Sequence, residues 1–521
     1  MDARAERRYR GASCQPGVCS AREPGRRRST GSRTVKEVTL SFISEWNPPS
    51  LWSHFDEILK IPRASKQEGR IREYVLGVAE RRGLDSKVDA SGNLVVRKPA
   101  APGHEAAPTT ILQSHLDMVQ EKNSDVEHDF ERDPITPVEV GAYLKAAGTT
   151  LGSDNGIGVA AMLALMEDDE LGHGPLEFLF TVDEETGLTG AAGLGDDMLE
   201  GRLLLNLDSE EEGVLTIGCA GGGDTHLRLP AGEEPSQGSA LQIRVHGLKG
   251  GHSGVDIHLQ RANAIKVLAR ALYAAWLDEP LQLAAIAGGN AHNAIPREAS
   301  ATIVVPGGPE AGERVRASLE NGLETVRREV ATVDPGLEFI LADADLPDVA
   351  CDEETTSRVL SLLMALPHGV VEMSPDIEGL VQTSTNLAVI SRRDGEIDVL
   401  LSSRSSVASA LRAMRQQLRA AGSLAGASVD EGEAYPGWQP DVDSKLLALV
   451  REVYAERISE PEVGAVHAGL ECGIIGEKFE GMDMISFGPQ IEFPHSPDER
   501  VKVDSVERFY DVLRAVLERL A

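Results

Sequence analysis

Residues 154–187 read DNGIGVAAMLALMEDDELGHGPLEFLFTVDEETG. The opening DNGIGVAAMLALMED predicts a helix begun by Asp154, a residue type favoured at helix N-caps. LEFLFTV is an apolar run of strand length, and two adjacent carboxylates, Glu184 and Glu185, stand just beyond it. The alternation continues outward. NLVVRKP and TTILQ precede as strand-like runs, and RLLLNL follows as another buried strand. Upstream, PPSLWSHFDEILKIPR reads as a short helix after a Pro-Pro stop, and KQEGRIREYVLGVAERRG carries apolar residues at helical spacing. Strand alternating with helix predicts an α/β fold built on a central sheet.

Acidic and histidine residues gather at the ends of these runs. They are His115 and Asp117 in ILQSHLDMVQ, Asp154 in TLGSDNGIG, Glu184 and Glu185, Asp208 in LLLNLDSEEEG, and His495 in MISFGPQIEFPHSPDE. Each follows an apolar strand or opens the next helix, the edge at which open α/β sheets bind their ligands. Imidazole with carboxylate suits zinc, with cobalt or manganese as substitutes. The set exceeds what one ion needs, so two metals are expected. Each residue alone has a plainer reading. His115 with Asp117 also fits a satisfied buried histidine, although i and i+2 share a face on an extended segment and let Asp117 orient the ring. Asp154 alone is an N-cap. Glu184 and Glu185 repel each other unless cations or protons intervene, or else lie in a solvated loop. His495 alone reads as a surface histidine, and Glu210, Glu211 and Glu212 read as solvated charge.

From about Cys219 the texture changes. GCAGGGD is flexible, LQIRVHG alternates, and a helical run covers HLQRANAIKVLARALYAAW. EASATIVVP, GLEFILAD and EIDVLLSSRSS are strand-like, between helices in GERVRASLENGLETVRREV, TTSRVLSLLMAL and SALRAMRQQLRAAG. This α+β block, 219–422, holds none of the positions above. The expected organisation is a disordered basic tail over 1–45, a ligand-bearing domain over 46–218 and again over 423–521, and an inserted domain between its two parts.

A chain of 521 residues exceeds one compact core. The net charge of -32 argues against nucleic acid as a partner. Cys14, Cys19, Cys219, Cys351 and Cys472 are scattered, odd in number and without zinc-finger spacing, which fits a reducing cytoplasm. No apolar stretch approaches the length of a membrane span. The tail holds Arg7, Arg8, Arg26, Arg27 and Arg28 and lacks the apolar core of a secretory signal. An over-extended start or an organelle transit peptide are its alternatives.

The motifs QSHLDMVQEKN, GTTLGSDNGIG, DSEEEG, GCAGG, GLKGGHSG, NAIPREA, AYPGWQP, HAGLECG and GPQIEFPHSPDE carry a resemblance. From about Trp52 to its end the chain resembles the aminoacylhistidine dipeptidases. These are the peptidase D or bacterial Xaa-His dipeptidase and carnosinase group, of the dinuclear-zinc peptidases that include glutamate carboxypeptidase, peptidase T and aminoacylase. The resemblance implies a zinc-peptidase catalytic domain with a mixed central sheet flanked by helices, interrupted by an α+β lid that carries dimer contacts in many members. It implies that His115 and Asp208 hold one zinc and Glu185 and His495 the other. Asp154 bridges both, Asp117 orients His115, and Glu184 is the general base for a water between the zincs. By the same resemblance His252 stabilises the oxyanion, Asn293 and Arg404 hold substrate, and His467 and Gly469 line the pocket. Read on residues alone, His252 is a loop histidine between glycines, Arg404 a surface arginine suited to clamp an α-carboxylate, and His467 an exposed histidine. The implied activity is hydrolysis of unblocked dipeptides, preferentially Xaa-His including carnosine, by a cytoplasmic homodimer. An N-acyl amino-acid deacylase, a broader peptidase, or a metal-binding protein that recognises peptides without cleaving them are the alternatives. The arginine-rich tail has no counterpart in that family, and the wording before His495 departs slightly from it.

Overall fold

The computed structural model describes residues 42–393 and 395–521, and residues 42–521 form one compact unit. Most of the expected basic tail, with Cys14 and Cys19, lies outside the described residues. Its last four residues correct the expected boundary at 45. Phe42–Glu45 is a short 3-10 helix with Ile43 buried, and Phe42, Trp46 and Trp52 stack edge to face at 5.4 and 5.0 Å. Aromatic packing thus orders the chain ahead of the Pro-Pro stop.

The first sheet has eight strands in the order Asp85–Val88, Leu94–Lys98, Leu176–Thr181, Thr110–His115, Leu203–Asn206, Asp483–Ser486, Val214–Cys219, Glu462–Val466. It is mixed. Thr110–His115 runs parallel to both Leu176–Thr181 and Leu203–Asn206, and Asp483–Ser486 runs parallel to Leu203–Asn206, whereas Leu94–Lys98 pairs antiparallel with Leu176–Thr181. Thr110–His115 and Leu176–Thr181 are buried at every position, as strands covered on both faces must be. The helices Pro49–Ile58, Gly69–Arg82, Ser153–Glu167 and Val503–Leu520 contribute to the core of this sheet. Gly83 ends Gly69–Arg82 at φ 64°, the left-handed conformation that glycine adopts without a Cβ clash.

The second sheet has nine strands, all paired antiparallel and all drawn from residues 221–435, and it buries a separate apolar core. None of the seven expected metal-site residues lies in it. It runs past the expected return at 423, because Ser428–Tyr435 pairs with Gly221–Pro230. SVDEGEAY forms an edge strand with no buried residue, so no buried run marks it in the sequence. The helical run expected from His258 starts only at Ala264, where the Asn263 side chain caps the N–H groups of Ile265 and Lys266. Among the described residues no helix is long and apolar enough to cross a membrane. Cys219, Cys351 and Cys472 are buried free thiols.

Candidate metal centre

Three adjacent parallel strands carry the first ligand candidates at their carboxyl ends. His115 ends Thr110–His115, Glu184 and Glu185 follow Leu176–Thr181, and Asp208 follows Leu203–Asn206. Asp154 enters from the start of Ser153–Glu167. It does not act as the expected N-cap: the cap position is Gly152, no side chain caps the helix, and Asp154 has non-helical backbone angles. His495 sits at φ 58° in the turn between Ile491–Glu492 and Arg500–Lys502.

Four of the other six expected residues, His115, Asp208, His495 and Glu185, converge on Asp154, and Glu184 groups with His115 and Glu185. Asp154 Oδ1 lies 3.0 Å from His115 Nε2, which is also 3.3 Å from Asp208 Oδ1. Its Oδ2 lies 3.1 Å from His495 Nε2, which is 3.0 Å from Glu185 Oε2. One carboxylate thus faces two triads, His115–Asp154–Asp208 and His495–Asp154–Glu185, and each can hold a metal ion. Tetrahedral zinc with bonds near 2.0–2.1 Å spaces its donors about 3.3 Å apart. The observed separations of 3.0–3.3 Å match that edge. The residues therefore fit a pair of metal ions sharing the Asp154 carboxylate.

The electrostatics agree. Burial raises the Glu184, Glu185 and Asp208 carboxyls above their ordinary values. Although burial opposes it, His115 is raised well above the usual imidazole value by Asp208, Asp117 and Asp154. His495 is pushed up to about 11 by its bonds to Asp154 and Glu185. Glu210 corrects the expectation of solvated charge: it is half-buried beside Asp154, and burial with Asp154 and Asp208 pushes it up to about 9. Glu212 also departs from that reading, through a two-pronged pair with Arg508 at 2.5 and 2.9 Å. Glu211 is exposed.

Asp117 is fully buried, with Oδ1 3.4 Å from His115 Nδ1. It accepts the Ser65 hydroxyl at 2.7 Å and the N–H groups of Glu184 and Glu185 at 3.1 and 3.2 Å. Against the effect of burial, the His115 ring and these donors hold its carboxyl well below the usual range. It therefore stands beside one imidazole, whose Nδ1 makes no hydrogen bond, and holds the backbone of the Glu184–Glu185 turn.

Two buried residues outside the expected set support the site. Arg63, buried, donates to the carbonyls of Leu116, Asp117 and Gly152. A Cβ on Gly152 would come within 2.5 Å of its Nη2, and one on Gly156 within 2.9 Å, which accounts for glycines in GSDNG. Glu499 accepts N–H groups from Leu151, Gly152 and Ser153 and the Ser153 hydroxyl, at 2.6–3.0 Å. Its one signal in the sequence was its place in HSPDE, just after His495.

A family description, Peptidase family M20/M25/M40, matches residues 111–519. The chain belongs to this peptidase family. It is 40% identical over 484 residues, 92% of this chain and 99% of the relative, to the cytosol non-specific dipeptidase of Escherichia coli K12. It is similar to the crystal structure of the aminoacylhistidine dipeptidase of Vibrio alginolyticus, with a TM-score of 0.86, 40% identity, and coverage of 92% of this chain and 98% of that one. The aminopeptidase PepT of Bacillus cereus shares the fold, at a TM-score of 0.53 and 16% identity over 90% of this chain and 98% of that one.

This M20 peptidase holds a second group of expected site residues apart from the metal cluster. Arg404 is no surface arginine. It is 7% exposed, its Nη1 donates to the Tyr435 hydroxyl at 3.1 Å, and its Nε is buried without a partner. His467 is likewise buried, with Nε2 2.7 Å from Ser384 Oγ and Nδ1 without a partner. Burial and Arg404 push its ring down to about 3, so it is neutral. His252 is half-buried, and its Nδ1 accepts the N–H groups of Gly254 and Val255, each at 3.2 Å. An Nδ1 that accepts leaves the proton on Nε2, which becomes a donor. Asn293 is exposed, and its carbonyl accepts the Ser253 N–H at 2.8 Å. Gly469 joins the two groups: a Cβ there would meet Tyr435 at 3.1 Å and Leu188, just past the glutamate pair, at 3.4 Å. Among the described residues no hydrogen bond or ion pair links the two groups.

Proposed function

We propose that this M20 peptidase is a dipeptidase that cleaves unblocked dipeptides, preferentially Xaa-His including carnosine, with two zinc ions, cobalt or manganese being substitutes. The observation that carries the reading is Asp154, whose two oxygens each face one imidazole-carboxylate pair at tetrahedral spacing. In this reading His115 and Asp208 hold one ion, His495 and Glu185 the other, and Asp154 both. When bound, the ions polarise the scissile carbonyl and acidify water.

The chain supplies the rest. Glu184 lies outside the two triads that share Asp154, although it also groups with His115 and Glu185, and burial raises its carboxyl, as suits a group that takes a proton from water and returns it to the leaving amine. Asp117 fixes the Glu184 backbone. His252, with Nε2–H free to donate, stabilises the oxyanion. Arg404 clamps the substrate α-carboxylate, beside a pocket wall of His467 and Gly469, and Asn293 lies at the substrate edge. The block built on the second sheet acts as the lid. A homodimer and a cytoplasmic location complete the reading. The name of the Escherichia coli relative supports that location.

Replacing Glu184 by Gln tests the mechanism. With zinc restored, kcat for Gly-His and carnosine falls by about 10²–10⁴, while metal content stays at two ions per chain. Activity near wild type would remove Glu184 from the mechanism. A second reading, broad dipeptidase specificity, is favoured by the relative named non-specific. Comparing Xaa-His with Xaa-Leu and with N-acetylated dipeptides decides between the two readings and separates both from a deacylase.

A further inference from the structure

Beneath the metal centre lies a layer of buried polar residues that the proposed mechanism does not use. Ser486, Asn206 and Gln113 are register partners across three neighbouring parallel strands. Thr181 ends the next strand, and Glu471 opens the helix Glu471–Lys478. Ser486, Asn206, Gln113, Thr181 and Glu471 are all fully buried. A polar layer in a sheet core is costly unless its members satisfy one another.

The bonds run one way. Asp208 N–H donates to Asn206 Oδ1 at 3.3 Å, and the Ser486 hydroxyl donates to the same oxygen. Asn206 Nδ2 donates to Gln113 Oε1 at 2.5 Å. Gln113 Nε2 donates to Glu471 Oε2 at 2.6 Å, as does the Thr181 hydroxyl, also at 2.6 Å. Glu471 Oε2 takes both donors and so acts as an acceptor, which determines this direction. It obliges Gln113 to present its NH2, which leaves Oε1 for the Asn206 amide, which leaves Asn206 Oδ1 for Asp208. Gln113 lies two residues before His115, and Asn206 two before Asp208, so on strands of period two each lies below a ligand of the same half of the centre. Glu185 and His495 have no bond to this chain among the described residues.

We propose that Glu471 is a positioning residue: as terminal acceptor of this one-way chain it fixes His115 and Asp208 and thereby sets the affinity of one metal position, not of both. The proposal rests on the two-metal reading above.

The test is titration of chelator-stripped full-length protein with Co2+ alone, followed by heat and by the visible absorption of the bound ion. Glu471→Leu removes the acceptor. One of the two binding steps then weakens by about 10–100-fold, the usual effect of losing a partner behind a ligand, and the other step keeps its wild-type value. Glu471→Gln leaves one oxygen to accept both bonds and restores most of the affinity. In the Glu471→Leu background, Asp208→Ala adds less than its effect in the wild type, while His495→Ala adds its full effect. Equal weakening of both steps, no weakening, or failure of the Gln variant to restore affinity overturns the proposal. If Glu471→Leu does not fold, Asn206→Asp is read in the same titration. It keeps its shape but offers Gln113 no donor, and the same one-step loss is expected. Binding does not depend on turnover. A wild type that binds two ions and leaves dipeptides intact overturns the functional reading alone, and a normal titration of the variants overturns the chain alone.

Discussion

Ser153 gives both its backbone N–H and its hydroxyl to one oxygen of Glu499, at 2.7 and 2.6 Å. The other oxygen takes the N–H groups of Leu151 and Gly152, so the loop that presents Asp154 is tied to a carboxylate more than 340 residues away in sequence. Glu499→Gln turns one of these acceptors into an NH2 aimed at N–H donors. Bonds to a charged acceptor contribute about 1.5–3 kcal/mol each. The variant should lose about 3 kcal/mol or more in urea unfolding, and its zinc affinity should fall with it. Wild-type stability in the variant would mean that the loop holds its shape without Glu499.

Asp117 connects the two halves of the site, since it touches His115 and also the N–H groups of Glu184 and Glu185. Asn at this position keeps the shape and one acceptor but points its amide at a donor. Zinc affinity is expected to drop about 10–100-fold, and kcat is expected to fall even at saturating zinc because the Glu184 backbone is no longer fixed. Competition with a chelator measures the first effect and steady-state kinetics the second. Loss of affinity with unchanged kcat would confine Asp117 to orienting the imidazole.

These cases also mark what sequence could and could not convey. His115, Asp208 and the Glu184–Glu185 pair were legible because each follows an apolar strand, and parallel strands present their carboxyl ends to one edge. Asp154 was visible, but its local context also fits an N-cap, and only the distant His495 gives it two partners. Arg63, Glu471 and Glu499 act through contacts spanning 53 residues or more, with no periodicity or spacing to announce them. Arg404 and His467 look like surface residues in their own segments. They are buried because strands of the second sheet and the Tyr435 segment close over them.

The metal-free protein should respond to pH in the opposite sense to acid denaturation. Burial pushes Glu471 up to about 8, and burial with Asp154 and Asp208 pushes Glu210 up to about 9. A carboxyl whose folded value is raised contributes stability that is complete below its unfolded value near 4.3 and is lost as pH rises through the folded value. With EDTA present, the melting temperature should therefore fall between about pH 5 and pH 9. Bound cations favour the ionised carboxylates, so zinc should abolish the slope. At a hundredfold excess over its Kd, zinc should also add about 2.7 kcal/mol. Parallel slopes with and without zinc would show that these carboxyls do not govern the stability of the metal-free form.

Arg404 offers a test of substrate polarity. Its guanidinium is held by Tyr435 through one Nη and keeps a buried Nε without a partner, so part of its fork is free for an incoming acceptor. A carboxylate fits two parallel N–H donors, and lysine presents a point charge that cannot reproduce them. Arg404→Lys should raise KM for Gly-His by about 10–100-fold, the equivalent of one or two charge-assisted bonds, with a smaller change in kcat. The wild type should discriminate strongly against Gly-His amide, which lacks the carboxylate, and the variant should lose most of that discrimination. Steady-state kinetics on the acid and the amide, with both proteins zinc-loaded, measure this directly. An unchanged ratio of acid to amide would place the carboxylate contact elsewhere, and Arg404 would then act only by holding Tyr435 against Gly469.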